Sequence, residues 1–328
     1  MSLTAVQLVQ DVPTSPDAAW QLLTDHPELL WGHQAPDLVA GARYASVGHG
    51  GAGGAGTIQD VADGVVRFSW TEDTWAEPAD PVLTLTEGAA GTTATLTIEG
   101  APDGQAESLQ QQWSRMLGEF AGFAASRNPV TDQPVRAVLF DADGVLQSPR
   151  GDWLARFAAL GGPGFVKAAF TAELDCLTGK VDLADRLEPL LAGRDGTVTD
   201  VLAVWHDIDL DADAFAVVDR VRDAGLTCCL ATNQQSRRGG FMQEHTDTNS
   251  HFDRVYYSYQ VGHAKPSAAF FQAIVDDLQL PIEQIAFVDD APANVIAARE
   301  LGLRAVLHRQ STGADGLARD LRSIGVPV

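Results

Sequence analysis

The chain has 328 residues, 45% of them apolar, and a formal net charge of −22 at pH 7. That length exceeds one ordinary core and suits two domains, and the apolar share is that of a globular protein. The charge repels nucleic acid and anionic membranes, so an anionic substrate needs a local positive centre to overcome it.

The opening "MSLTAVQLVQDVP" lacks a basic stretch followed by an apolar core, so no secretory signal is expected. No apolar run reaches the roughly 20 residues of a membrane span. "TAVQLVQDV" alternates as a strand, and "SPDAAWQLLTD" predicts a helix capped by Ser15 with Pro16 in its first turn. "GARYASV", "GTIQDV", "VVRFSW", "PVLTLTE" and "GTTATLTIEG" predict further strands, the last two joined as a hairpin. "GHGGAGGAG", residues 48–56, contains G-x-G-x-x-G but opens no helix in a strand–helix–strand unit, so a flexible loop between strands is expected. In "AESLQQQWSRMLGEFAGFAAS", Leu109, Trp113, Met116, Leu117, Phe120 and Phe123 recur at helical spacing and give one apolar face.

"ASRNPVTDQPVR", residues 125–136, carries two prolines and no periodicity. It divides the chain into an α+β domain over 1–126, a linker over 127–135 and a second domain over 136–328. In the second domain continuous apolar strands, "RAVLFD", "LTCCLAT", "RVYYS", "IAFVDD" and "RAVLH", alternate with helical runs such as "SAAFFQAIVDDL" and "ANVIAARELG". This pattern predicts an α/β doubly wound parallel sheet covered on both faces. Residues 150–210 interrupt it as a wholly helical inserted module. The three cysteines, Cys176, Cys228 and Cys229, are odd in number and two are adjacent, which predicts small core residues in a reducing cytoplasm and no disulfide framework. "DIDLDADAF" imitates a calcium loop but places Ala212 and Val218 where glycine and glutamate are needed, so Asp211 or Asp213 is expected to cap a helix. "EHTDTNSHFD", with His245 and His251, is expected to be a solvated loop.

Ligands of a doubly wound sheet bind at the carboxyl ends of its strands. There the second domain places Asp141 and Asp143, then Thr232 and Asn233, then Lys265, then Asp289 and Asp290. Four carboxylates at one edge are costly unless a divalent cation is bound, and an oxygen-rich site with few protein ligands suits Mg²⁺.

"VLFDADGVL", "LATNQ", "GHAKP" and "FVDDAPANV", in this order and spacing, resemble the four motifs of the haloacid-dehalogenase-like hydrolase superfamily, with a helical cap between the first two. The resemblance covers residues 135–328 and implies a Rossmann-like fold and a Mg²⁺-dependent phosphatase of small phosphorylated metabolites. It implies Asp141 as the nucleophile that forms an aspartyl-phosphate, and Asp143 as the group that protonates the leaving oxygen and then deprotonates water. It also implies Thr232 and Asn233 as phosphate-binding groups and Lys265 as the balancing charge. Asp141, the carbonyl of Asp143, Asp289 and Asp290 are implied as the metal site. An acid at position 143 favours phosphate ester hydrolysis over dehalogenation and phosphonate cleavage, while a phosphomutase keeps the same pair. The cap is expected to set the leaving group, with Trp153, Arg156, Phe157, Lys167 and Lys180 as candidate contacts or, alternatively, ordinary cap structure.

The first domain, through Trp20, "PELLWG", "GTIQDV", "GTTATLTI" and the tryptophan of its last helix, is similar to START-like helix-grip (SRPBCC) domains related to the activator of the heat-shock protein 90 ATPase. That resemblance implies an apolar-ligand or partner-binding module, or a packed domain that stabilises or dimerises the enzyme. A second function class follows from it, a non-catalytic ligand-binding regulatory protein.

Overall fold

Strand alternation and helix capping in the first 126 residues produce an antiparallel sheet gripped by helices. The computed structural model describes residues 4–32, 35–47, 53–102 and 104–328. The chain divides into two compact units, Met1–Ser126 and Arg127–Val328. Among the described residues no helix is long and apolar enough to cross a membrane.

In the first unit β1 (Thr4–Val12) leads into α1 (Pro16–Asp25), whose N-terminus is capped by the Ser15 hydroxyl accepting from the Ala18 N–H. Then follow α2 (Glu28–Trp31), β2 (Arg43–Val47), β3 (Gly53–Ala62), β4 (Val65–Phe68), β5 (Asp80–Gly88), β6 (Gly91–Ala101) and α3 (Ala106–Ala125). The strands form one six-stranded sheet in the order β1-β6-β5-β4-β3-β2. β5 and β6 bury alternate residues, as a sheet with one covered face requires. On α3, Leu109, Trp113, Met116, Leu117, Phe120 and Phe123 are all buried. The rings of Trp70 and Trp113 lie 5.1 Å apart, and Phe68 lies 5.4 Å from Trp113 and 5.2 Å from Trp31. The tryptophans therefore build a core.

The glycine run is not simply a loop. Residues 48–52 lie outside the described residues, but Gly53–Ala62 is β3, paired with β2 and β4. A Cβ on Gly54 would stand 2.1 Å from the Trp70 ring, so the missing side chain makes room for an indole laid against the strand.

The second unit begins with residues 127–135 held to its own body: the Ala305 N–H donates to Oδ1 of Asn128, and Gln284 Nε2 to Oε1 of Gln133. A central parallel sheet runs β11-β10-β7-β12-β13, made of β7 (Ala137–Phe140), β10 (Thr227–Thr232), β11 (Arg254–Tyr257), β12 (Ile285–Asp289) and β13 (Arg304–Leu307). Every residue of β7 and β12 is buried, which is why they read as unbroken apolar runs. Between β7 and β10 come β8 (Gln147–Pro149), α4 (Trp153–Gly161), α5 (Phe165–Leu174), α6 (Leu183–Leu191), α7 (Val198–His206), β9 (Ile208–Leu210) and α8 (Ala212–Asp223). α9 (Ser236–His245), α10 (Ser258–Val261), α11 (Ala268–Leu278), α12 (Pro292–Leu301) and α13 (Gly313–Ser323) complete the layers.

The inserted module is helical through α7 but not to its end. Ile208–Leu210 pairs antiparallel with Gln147–Pro149, so its exit strand zips onto its entry strand. Asp211, rather than Asp213, caps α8 by accepting from the Ala214 N–H. "EHTDTNSHFD" is more ordered than a solvated loop: Thr248–His251 forms a short 3-10 turn, Thr248 is buried, and His251 Nδ1 lies 2.9 Å from Asp219. Cys176, Cys228 and Cys229 are buried and unpaired.

Candidate active site

β7 lies between β10 and β12 in parallel register. Their carboxyl ends are therefore neighbours, and the residues that follow them meet at one edge. Asp141 follows β7, Thr232 ends β10 and Asp289 ends β12.

Lys265 comes from the loop after α10, and Asn233 brings it in. Asn233 Nδ2 donates to the Lys265 carbonyl, and the Lys265 N–H donates to Asn233 Oδ1, each at 2.9 Å. The Asn233 side chain thus clamps a backbone, a role separate from the phosphate contact expected of its N–H. The Lys265 ammonium is fully buried, 2.8 Å from Asp141 Oδ1 and 2.6 Å from Asp289 Oδ2. Burial works against its charge, but the two carboxylates outweigh burial and raise its pKa. Asp289 is held in place by the protein, because it also accepts from the Ala291 N–H at 2.7 Å and from Asn294 Nδ2 at 3.0 Å.

Asp141, Asp289 and Asp290 each offer a carboxylate oxygen within 4.8 Å of the others, and all three are buried. Burial lifts Asp141 to about 7, with Lys265 opposing and Asp289 adding to the rise. Burial, then Asp289 and Asp141, raise Asp290 well above the usual carboxylate range. Asp141 Oδ1 is buried, with the Lys265 ammonium 2.8 Å away. A hard donor set of three buried, crowded carboxylates fits a divalent cation such as Mg²⁺. Gly144, at φ +80°, allows this crowding, since a Cβ there would lie 2.1 Å from Asp290 Oδ2.

Asp143 stands apart from that cluster. Its Oδ1 and Oδ2 accept from Nη2 and Nη1 of Arg238 at 2.7 and 2.5 Å. Gln234 Nε2 donates to Oδ2 at 2.7 Å and Gln147 Nε2 to Oδ1 at 3.0 Å. Burial pushes its pKa up, but the Arg238 charge and these hydrogen bonds prevail and hold it at about 2. Gln234 Nε2 also reaches the buried Thr232 hydroxyl at 3.2 Å. Sequence reasoning missed Arg238, Gln234, Gln147 and Asn294. The only available signal for the first two was their i, i+4 spacing directly after Thr232–Asn233.

The cap residues divide. Trp153 and Phe157 are buried and pack with Phe170 and Trp205 in the cap's own core. Arg156 is exposed and paired with Asp207 at 2.7 Å. Lys167 is half-buried and Lys180 exposed. Where cap meets core, the His206 ring stacks on Phe241 at 4.4 Å, and Phe241 stacks on His245 at 4.8 Å.

Residues 135–302 match the haloacid dehalogenase-like hydrolase family, and residues 13–125 match the activator of Hsp90 ATPase homolog 1-like proteins. A drimenol cyclase from Aspergillus calidoustus is 41% identical over 73 residues, 22% of this chain and 13% of that protein. A D-ribitol-5-phosphate phosphatase from Bacteroides thetaiotaomicron is 33% identical over 75 residues, 23% of this chain and 35% of that protein. The matched stretches therefore span well under two thirds of these relatives' lengths. A HAD family enzyme from Bacteroides thetaiotaomicron, solved as a magnesium complex, shares the fold with a TM-score of 0.51 and 19% identity, over 57% of this chain and 100% of that one.

Proposed function

We propose that this chain, which belongs to the haloacid dehalogenase-like hydrolase family, is a Mg²⁺-dependent phosphatase that acts on a small phosphorylated metabolite through an aspartyl-phosphate on Asp141. The observation that carries the reading is the buried ammonium of Lys265 between Asp141 and Asp289, whose carboxylates lie within 4.8 Å of that of Asp290.

Asp141, Asp289 and Asp290, with the carbonyl of Asp143, would hold Mg²⁺. The ion would supply positive charge that lets an anionic nucleophile approach a phosphate. An oxygen of Asp141 forms a bond to phosphorus as the bond from phosphorus to the ester oxygen breaks. Asp143 gives that leaving oxygen its proton. Water then attacks phosphorus, Asp143 takes the water's proton, and the carboxylate of Asp141 leaves. Asp143 stands as the ion, the form that accepts a proton, and an arriving phosphate dianion adds negative charge that favours protonation for the first step. Lys265 is placed to stabilise charge building on the transferring group, and the Thr232 hydroxyl and Asn233 N–H to hold its oxygens.

The presence of Asp143 favours phosphate ester cleavage over dehalogenation. The buried, unpaired cysteines fit a cytoplasmic site of action. The first unit serves, in this reading, as a ligand- or partner-binding module.

Turnover of a chromogenic phosphate ester with Mg²⁺ by the native chain, lost in Asp141→Asn, is the expected result. Equal turnover in both proteins overturns it. Release of free phosphate from a panel of phosphorylated metabolites separates hydrolysis from a mutase, which would isomerise its substrate and release little.

A further inference from the structure

Arg238, in the first turn of α9, is 5% exposed, and its guanidinium is committed in two directions. Toward the sheet edge it grips both oxygens of Asp143, and its Nη1 also donates to Gln234 Oε1 at 2.8 Å. Gln234 in turn donates to Asp143, so the three side chains form a closed ring of hydrogen bonds. Toward the cap, Arg238 Nε donates at 2.8 Å to the carbonyl of Trp205, in the last turn of α7. A second cap element bears on the same pair. Burial raises the Glu173 carboxyl on α5 to about 7, with Arg238 opposing and Asp143 adding to the rise, so Glu173 lies within the field of both.

The backbone of Arg238 is fixed as well. Gln235 Oε1 accepts from the N–H groups of Arg237 and Arg238 at 2.7 and 3.2 Å. A planar guanidinium can present two parallel N–H groups to a carboxylate while its Nε–H points elsewhere, which a lysine ammonium on a flexible stem cannot reproduce. Asp143 has no hydrogen bond of its own to α7 among those described. The route between them runs through Arg238.

We propose that Arg238 is a positioning residue that ties the cap to Asp143, so that the seat of α7 and the direction of the Asp143 carboxylate are set together. The proposal rests on the acid–base role given to Asp143 above. A cap seated on substrate then meets an aspartate already aimed, and a displaced cap loosens it.

Hydrogen exchange in peptides spanning 198–211 tests the tie without any need for activity. Arg238→Gln removes a fork and a carbonyl contact, and α7 exchange is expected to quicken about 10-fold. Asp143→Asn, far along the route, is expected to quicken it too. The double variant is expected to exchange no faster than Arg238→Gln alone. Unchanged α7 exchange in Asp143→Asn, or effects that add in the double variant, overturns the proposal.

Kinetics of the full chain with Mg²⁺ provide the second arm. With phenyl phosphate, whose leaving oxygen needs a proton, kcat is expected to fall in Arg238→Gln by about 100-fold, KM changing little. With 4-nitrophenyl phosphate, whose leaving group departs unprotonated, it falls about 10-fold or less. Arg238→Lys keeps the charge and is expected to restore neither. An equal loss on both esters marks a merely structural role and overturns the proposal. Native protein inactive on both esters sinks the phosphatase reading instead, and the exchange experiment still decides the tie.

Discussion

The ammonium of Lys265 lies 2.8 Å from Asp141, with the lysine side chain wholly out of solvent and the aspartate side chain 8% exposed. Removing one partner of such a pair leaves a buried charge with nothing to balance it. Lys265→Met is expected to cost about 3–5 kcal/mol of stability in the second unit, because Asp141 and Asp289 would then face each other unneutralised. Denaturant unfolding of the variant and the native chain measures this. A loss under about 1 kcal/mol would mean that the carboxylates relax by taking up protons.

The same crowding makes a divalent cation a stabilising ligand. Mg²⁺ at 100 times its dissociation constant is expected to add about 2.7 kcal/mol, seen as a rise in the thermal midpoint that EDTA reverses. Asp290→Asn should weaken the rise. A midpoint indifferent to Mg²⁺ would argue against a resident ion among these carboxylates.

His206 provides a pH dependence away from the carboxylate cluster. Burial lowers its pKa from 6.5, and the nearby Arg238 charge lowers it further. The folded state therefore binds this proton less readily than the unfolded state. Stability at this site is intact above pH 6.5 and is lost as pH falls below that value. His245 stands across Phe241 from His206 and also lowers the His206 pKa. His206→Phe keeps the stack and removes the proton site. Its thermal midpoint is expected to drop less between about pH 8 and pH 5.5 than that of the native chain. Parallel pH profiles would refute the assignment.

In the first unit two glycines predict opposite outcomes. Gly54→Ala drives a methyl into the Trp70 ring and is expected to cost about 1–3 kcal/mol. Gly118, within α3, has nothing within 4 Å of its notional Cβ, and Gly118→Ala is expected to add about 0.5–1 kcal/mol through helix propensity. Tryptophan fluorescence during urea unfolding reports both, and a destabilised Gly118→Ala would contradict the open space described there.

Some of this architecture could be read directly from residue order, and the reasons are local. β7 and β12 are apolar at every position before their aspartates, and burial on both faces demands that pattern. α3 shows its apolar face at helical spacing. Features that depend on where a side chain travels could not be read. "TNQQSRR" gives no sign that Arg238 turns back to Asp143 while its Nε–H reaches the cap. Gly54 and Gly56 of β3 look like a loop because their reasons, an indole at Trp70 and the Ser69 backbone, lie more than ten residues away. Three residues are too short a strand to register against helical neighbours, so β9 was hidden in the cap.

That short ribbon of β8 and β9 has a wider consequence. Because the chain departs from the sheet and returns to it along a single pair of hydrogen-bonded segments, everything between them behaves as a cassette. Its helices α4, α5 and α6 can be exchanged or resized while the ends stay a fixed strand spacing apart. Selectivity toward new esters can thus be sought by replacing the block before α7, keeping the Trp205 carbonyl that receives Arg238 so that Asp143 stays aimed.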